Sequence, residues 1–313
     1  MPTNLQVAKI KIDKTIRDRK TELLSYFRDR ASEALTVIKS KFADTQADKR
    51  ARAINESLNQ TKAALIATIL QQAEKEKWSN KEKLESLLMV TYSSIVVMIE
   101  SRNAVRPYEY MDFSRRVGEL WDAFCKLCFY YPINDISLFI PPLFSEVKRK
   151  LTDEIVTFVD KLSISNEEKQ DLKAYYDKVW SLVTSGGIQL ELDLHFSHNE
   201  QKYVVDFKSG FGSNEKGNTN RLLLVASIYK NLDDNFKCLL FVRAEENNSY
   251  FNTLKNSGLW EAYCGNEAYK KIKTHSGYDL KLWTDANIDW VNDFKAETIN
   301  HLTDKNLLQY LIW

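Results

Sequence analysis

Glycine and proline are scarce in this chain, nine and five residues in 313. So few breakers point to long helices and few loops. Cysteine is scarce too, four residues: Cys125, Cys128, Cys238 and Cys264. Three lie inside apolar segments, which excludes a disulfide framework and reads as a reduced, cytoplasmic chain. Cys125 and Cys128 form a CxxC, but no second pair follows at zinc-site spacing and the four histidines complete no site, so both read as core thiols. Charge of one sign is also lacking. The net charge is +1, so any nucleic-acid binding needs locally concentrated cations. No long apolar run exists. Leu87 to Ile99 is interrupted by Thr91, Ser93 and Ser94 and is too short to span a bilayer, so it reads as a buried helix. The first residues hold no apolar stretch before a small-residue cleavage site, so no signal peptide is expected. No repeat of fixed period and no sustained heptads appear, which argues against a solenoid or a long coiled coil.

What is present is an ordinary soluble composition, 44% hydrophobic and 28% charged, in a length that suits one large or two ordinary domains. Residues 1–50 hold twelve Lys/Arg against seven Asp/Glu, and Lys14, Arg17, Arg19 and Lys20 of that stretch are candidates for contact with a DNA backbone. Residues 1 to about 184 carry helical periodicity almost throughout. Ile16, Leu23, Leu24, Phe27 and Ala31 mark the first helix, and a second runs from Ala51 to Glu74. Ser79 with Glu82 forms a capping box opening a third. A fourth runs from Tyr108 to Tyr130, and a fifth from Leu143 to Leu162. A sixth starts at the Ser165/Glu168 capping box and ends near Ser185-Gly186-Gly187.

At Gly187 the period changes to two. Ile188, Leu190, Leu192, Leu194 and Phe196 alternate with Gln189, Glu191, Asp193 and His195, which predicts a strand over 188–196 with one apolar and one polar face. A polar turn from Ser197 to Gln201 leads to a second strand, Lys202–Lys208, making an antiparallel hairpin. A glycine-containing loop, 209–218, precedes a helix over Thr219–Asn231. Strands follow at Phe236–Val242 and Leu259–Cys264, then mixed helix to the end. The predicted organisation is a helical domain over 1–184 and an α/β domain with a mixed central sheet flanked by helices over 185–313.

Asp206 and Lys208 lie two apart and share a strand face, and Asp193 lies on the polar face of the partner strand. Cross-strand neighbours lie about 5 Å apart. Carboxylates that close repel, so they call for a cation between them, and hard oxygen ligands suit Mg²⁺. Such an ion stabilises charge on a phosphoryl group and lowers the pKa of water. Lys208 would orient the attacking water and counter the developing charge. The chemistry is hydrolysis of a phosphodiester. Glu191 competes with Asp193 for the same role, and His195 reads as a solvated or hydrogen-bonded neighbour.

The pattern Asp193, a thirteen-residue step, then Asp206-Phe207-Lys208 resembles the PD-(D/E)XK nuclease superfamily, although Leu192 stands where the family name has proline. The resemblance covers roughly residues 186–272. It implies a restriction-endonuclease-like core, Asp193 and Asp206 as metal ligands, Lys208 as the activator of water, and Mg²⁺ (or Mn²⁺) as cofactor. Within the superfamily the chain is most similar to type II restriction endonucleases, which implies a site-specific cut in double-stranded DNA, a homodimer, and a cognate DNA methyltransferase in the host. Phe113–Asp122 resembles the helix preceding the catalytic hairpin in such enzymes, and that helix offers Glu119 or Asp122 as a further acid. Tyr263–Tyr269 resembles a late strand-to-helix junction. Lys216, Asn218, Asn220 and Arg221 surround a helix start and are candidate DNA contacts. A repair or phage-defence nuclease of the same superfamily, and a non-enzymatic helical DNA-binding or interaction protein, are the rival readings.

Overall fold

The computed structural model describes residues 10–183, 190–212, 215–232 and 235–311. Helices dominate the first 136 residues. α1 (Lys20–Lys41), α2 (Ala47–Lys75), α3 (Asn80–Val105) and α4 (Tyr110–Tyr130) follow one another through short connections. α3 opens on the expected box. Ser79 Oγ accepts from Glu82 N, and Ser79 N donates to the Glu82 carboxylate. It is apolar enough to pass for a membrane span by composition, but it is the central helix of the bundle and almost wholly buried. Leu88, Val96, Ser93 and Val90 lie on different faces of it and all are inaccessible, the pattern of a helix covered all round.

Next come a short strand β1 (Ser137–Leu138), α5 (Phe144–Asp160) and α6 (Asn166–Val183), then β2 (Leu194–His198), β3 (Gln201–Lys208), α7 (Lys216–Leu232), β4 (Phe236–Val242), α8 (Ser249–Lys255) and β5 (Trp260–Cys264). α9 (Gly265–Ser276), α10 (Leu280–Asn287), α11 (Trp290–Asp293) and α12 (Ala296–Asp304) close the chain. The fold is mixed α/β, with one five-stranded sheet in the order β1-β2-β3-β4-β5. β1 and β3 each pair antiparallel with β2, and β3 pairs parallel with β4.

The chain divides into two compact units, and the boundary differs from the expected break at 184/185. One unit comprises Met1–Ile136, Arg243–Glu245 and Cys264–Trp313, and the other comprises Ser137–Val242 and Glu246–Tyr263. α5 and α6 therefore belong with the sheet, and the C-terminal helices belong with the N-terminal bundle. The reason lies in side-chain partners. Trp121 Nε1 donates to the Tyr269 hydroxyl at 2.9 Å, Phe124 packs on Trp283, and Tyr92 donates to Asp293 Oδ2 at 2.7 Å. Arg28 forms a two-pronged ion pair with the buried Glu100, which also accepts from the backbone N–H of Lys295. Helical periodicity reports which face of a segment is apolar, and it is silent about which distant segment covers that face.

In the sheet unit, β2 and β3 turn through Asn199 and Glu200, both left-handed at φ 51° and 64°. Two successive positive φ values define the twisted two-residue hairpin turn that matches strand twist. Its register pairs Leu194 with Val205 and Phe196 with Tyr203.

Candidate active site

The expected strand over 188–196 is shorter in the structure. Residues 188 and 189 lie outside the described residues, and β2 begins only at Leu194. Asp193 ends the ladder itself. Its Oδ2 accepts the backbone N–H of Phe207 at 2.8 Å, in place of a main-chain carbonyl. Continuing the hairpin register by one residue sets Asp193 opposite Asp206. The two carboxylates and Lys208 thus share one face at the open end of the hairpin, as the alternation predicts.

The polar face expected on the hairpin is not a solvent face. Val204 and Asp206 on it are as buried as Val205 and Phe207 on the other. α7 supplies the cover. Its Leu222, Val225, Ala226 and Tyr229 are buried, and the Tyr229 hydroxyl contacts His195 Nε2 at 3.3 Å while donating to Leu190 O at 2.9 Å. His195 is therefore a buried, hydrogen-bonded ring, and burial lowers its pKa to about 4. A helix laid over a sheet face removes that face from solvent, and alternation alone does not reveal the roof.

Asp206 is the electrostatic centre. Its side chain is 3% exposed, that of Lys208 22% and that of Arg221 44%. Lys208 Nζ lies 2.7 Å from Oδ2, and Arg221 Nη2 lies 3.6 Å from Oδ1. Among the described residues the Lys208 ammonium is thus the one close cation on Oδ2, and Arg221 stands farther off on the other oxygen. Burial raises the Asp206 pKa and the Asp193 charge adds to this, while Lys208 and Arg221 pull it back. The carboxylate is thus taken from water, crowded by a second acid and only partly compensated by two cations. Perturbed groups of this kind cluster at functional sites.

The other candidates divide. Arg221, expected as a DNA contact, is part-exposed and also reaches toward Asp206 from the second turn of α7. Asn218 Nδ2 donates to Glu215 and its Oδ1 lies 3.5 Å from Arg221 Nη2, while Lys216 and Asn220 are exposed. Glu191 is exposed in the coil before Asp193. Glu119 belongs to the other unit, where it pairs with Arg116 at 3.0 Å and Arg115 at 3.9 Å, and Asp122 pairs with Lys126. The second cationic partner of Asp206, Arg221, is what sequence reasoning misses. Its signal is a cation one helix turn into the element after the hairpin.

The basic N-terminal residues, expected as DNA-backbone contacts, are paired within the chain. Lys14, Arg17, Arg19 and Lys20 each face a carboxylate, from Glu82 at 3.6 Å, Glu85 at 2.9 Å, Asp13 at 3.2 Å and Asp293 at 2.8 Å. Local charge counting registers the cations but not the acids that folding brings to them. Cys125 and Cys128 are fully buried core thiols, as expected. Among the described residues no group of three or more His, Cys, Asp and Glu gathers at one point. Comparison with known proteins finds no family model, no curated protein and no solved structure that matches this chain.

Proposed function

We propose that this chain is a Mg²⁺-dependent endonuclease that hydrolyses phosphodiester bonds in double-stranded DNA, acting at specific sites as type II restriction enzymes do. The observation that supports it is the convergence of Asp193, Asp206 and Lys208 at the end of one hairpin, with a buried Asp206 carboxylate 2.7 Å from the Lys208 ammonium. The residues fit a hard divalent ion. Two carboxylates offer oxygen only, and Mg²⁺ keeps several waters beside one or two protein carboxylates. Asp193 and Asp206 would hold it, and it would supply Lewis-acid stabilisation of charge on the phosphoryl oxygens.

The chain's own groups have separable tasks. Lys208, partly open to solvent, presents an ammonium beside the acids, where it orients water and offsets negative charge on the phosphate. Arg221 holds the Asp206 carboxylate from the α7 side. The Phe207 N–H fixes the rotamer of Asp193. A restriction-endonuclease-like core, a homodimer that places two such sites on a two-fold symmetric duplex, and a companion methyltransferase in the host belong to the same proposal.

Incubation of purified protein with plasmid DNA tests it. Mg²⁺ or Mn²⁺ should give discrete fragments, chelator should abolish cutting, and Ca²⁺ should support binding with little cleavage. Asp206→Ala, Asp193→Ala and Lys208→Ala should each lose cleavage while still binding DNA. Cleavage by Asp206→Ala at near wild-type rate would exclude this site, and a smear without bands would favour a repair or defence nuclease without site specificity.

A further inference from the structure

The helical unit contains a charged feature of its own. A cavity of about 380 Å³ is lined by Arg52 of α2, by Arg102 and Arg106 at the end of α3, and by Arg115 and Arg116 of α4. Its volume falls at the small end of the roughly 300–1,000 Å³ of ligand pockets. Five guanidinium groups face three carboxylates, Asp48, Asp112 and Glu119, leaving two positive charges in excess. The acids are shared. Asp112 Oδ2 serves Arg102 at 2.8 Å and Arg106 at 2.6 Å, and Glu119 serves both Arg115 and Arg116. Arg52 has no carboxylate partner among the described residues.

Polar atoms in the lining are also unmatched. The hydroxyl of Tyr108 is buried, and the group beside it is the Arg116 guanidinium, which can only donate, so the phenol proton has no acceptor among the described residues. Asn55 Oδ1 is buried without a partner as well, and its amide can be turned to present the nitrogen instead. Arg102 stacks on the Tyr108 ring at 3.8 Å, which fixes both side chains in the wall. Buried polar groups are normally hydrogen-bonded, and a donor left without a partner beside surplus cations calls for an explanation. Burial and the Arg116 charge also push the pKa of nearby Lys62 down, a further sign of uncompensated positive charge.

We propose that this cavity binds a phosphate dianion, free or carried as the monoester of a small molecule, held by Arg52, Arg115 and Arg116 and by the Tyr108 hydroxyl. Two negative charges match the excess, and guanidinium forks bind phosphate oxygens in pairs, whereas a monocarboxylate fills one fork and brings a single charge.

Isothermal titration of the full chain at low salt tests this, with inorganic phosphate, adenosine monophosphate and acetate as probes. Phosphate or the monophosphate binds saturably at one per chain, and acetate does not. Equal affinity for the two phosphates identifies the free ion as the ligand, and tighter binding of the nucleotide identifies the ester. Arg52→Ala weakens binding about tenfold, the worth of one charge-assisted hydrogen bond. Tyr108→Phe weakens it several-fold with the net charge and the melting temperature retained, a change that diffuse attraction to a basic surface does not produce. Failure of both phosphates to bind the wild-type chain at millimolar concentration overturns the proposal, as does undiminished binding by the Tyr108→Phe and Arg52→Ala variants.

Discussion

Asp206 offers a prediction whose sign separates a functional carboxylate from a structural ion pair. Its pKa is raised, with burial the leading cause. A carboxylate whose folded pKa lies above its ordinary 3.8 makes the folded state bind the proton more tightly than the unfolded chain does. Stability is therefore lost as pH rises from 3.8 to the folded pKa, and the penalty stays in place at neutral pH. Each tenfold difference in proton affinity corresponds to about 1.4 kcal/mol. Asp206→Asn removes the penalty while keeping the shape. It should leave the chain as stable as wild type or more stable at pH 7.5, and the advantage should vanish below pH 4. Lys208→Met acts in the opposite direction. Breaking a fully buried pair from one side costs about 3–5 kcal/mol. Here Lys208 is partly hydrated and Arg221 remains 3.6 Å from the carboxylate, so the loss should be about 2 kcal/mol. In the double variant the loss should shrink, giving a coupling above about 1 kcal/mol. Urea unfolding midpoints at constant m-value, taken from pH 4 to pH 8, measure all four proteins. If Asp206→Asn is destabilised as much as Lys208→Met across that range, the carboxylate is a structural partner of the lysine, and the electrostatic case for a site here fails.

Two further predictions concern the framework. His195, with its pKa lowered to about 4 by burial, should show no imidazole titration by NMR between pH 5.5 and 8. Since the unfolded ring binds its proton near 6.5, stability should fall as pH drops from 6.5 to 4, by about 3 kcal/mol in total, and His195→Phe should abolish that component of the difference curve. At the β5–α9 junction, Gly265 sits at φ 47° and a Cβ there would collide with the Glu245 carboxylate, the group that accepts Asn266 N–H at 2.8 Å. Gly265→Ala should cost about 2 kcal/mol, from left-handed strain and the loss of that hydrogen bond, and a thermal shift below about 1 °C would contradict this account.

Much of the fold was legible because its signals are local. The capping boxes at Ser79 and Ser165 mark helix starts by chemistry that acts within three residues, and the structure has Ser165 and Glu168 bonded as expected. β4 falls on Phe236–Val242 because a short apolar run allows little else. The strand-to-helix junction near Tyr263 lies between Cys264 and Gly265. What was illegible is non-local. β1 is two residues long and exists only because β2 offers an edge, with Ser137 opposite Ser197. The helical look of α5 and α6 hid their association with the sheet. At the site, the pairing of Asp193 with Asp206 was readable from alternation. The roof of α7, the burial of His195 and the approach of Arg221 were not, because they depend on how a helix seventeen residues long is laid over the strands.

The same distinction decides where a nucleic-acid backbone would be gripped. A cation already paired inside the protein releases few counterions from DNA, because its charge is neutralised before the encounter. Lys14 and Arg17 face Glu82 and Glu85, so Lys14→Ala with Arg17→Ala should change DNA affinity less than about twofold and leave its salt dependence intact. Lys216 differs, since it is exposed at the start of α7 with no carboxylate partner among the described residues, and Arg221 beside it is 44% exposed and only 3.6 Å from its acid. Replacing both by alanine should flatten the plot of log affinity against log salt by about 0.9 for each phosphate that the protein no longer neutralises. Filter binding of a short duplex, with Ca²⁺ in place of Mg²⁺ to suppress cutting, measures both slopes. A steep loss in the Lys14/Arg17 variant with none in the Lys216/Arg221 variant would mean that the intramolecular pairs open on binding, and that the N-terminal cations, rather than the start of α7, carry the grip.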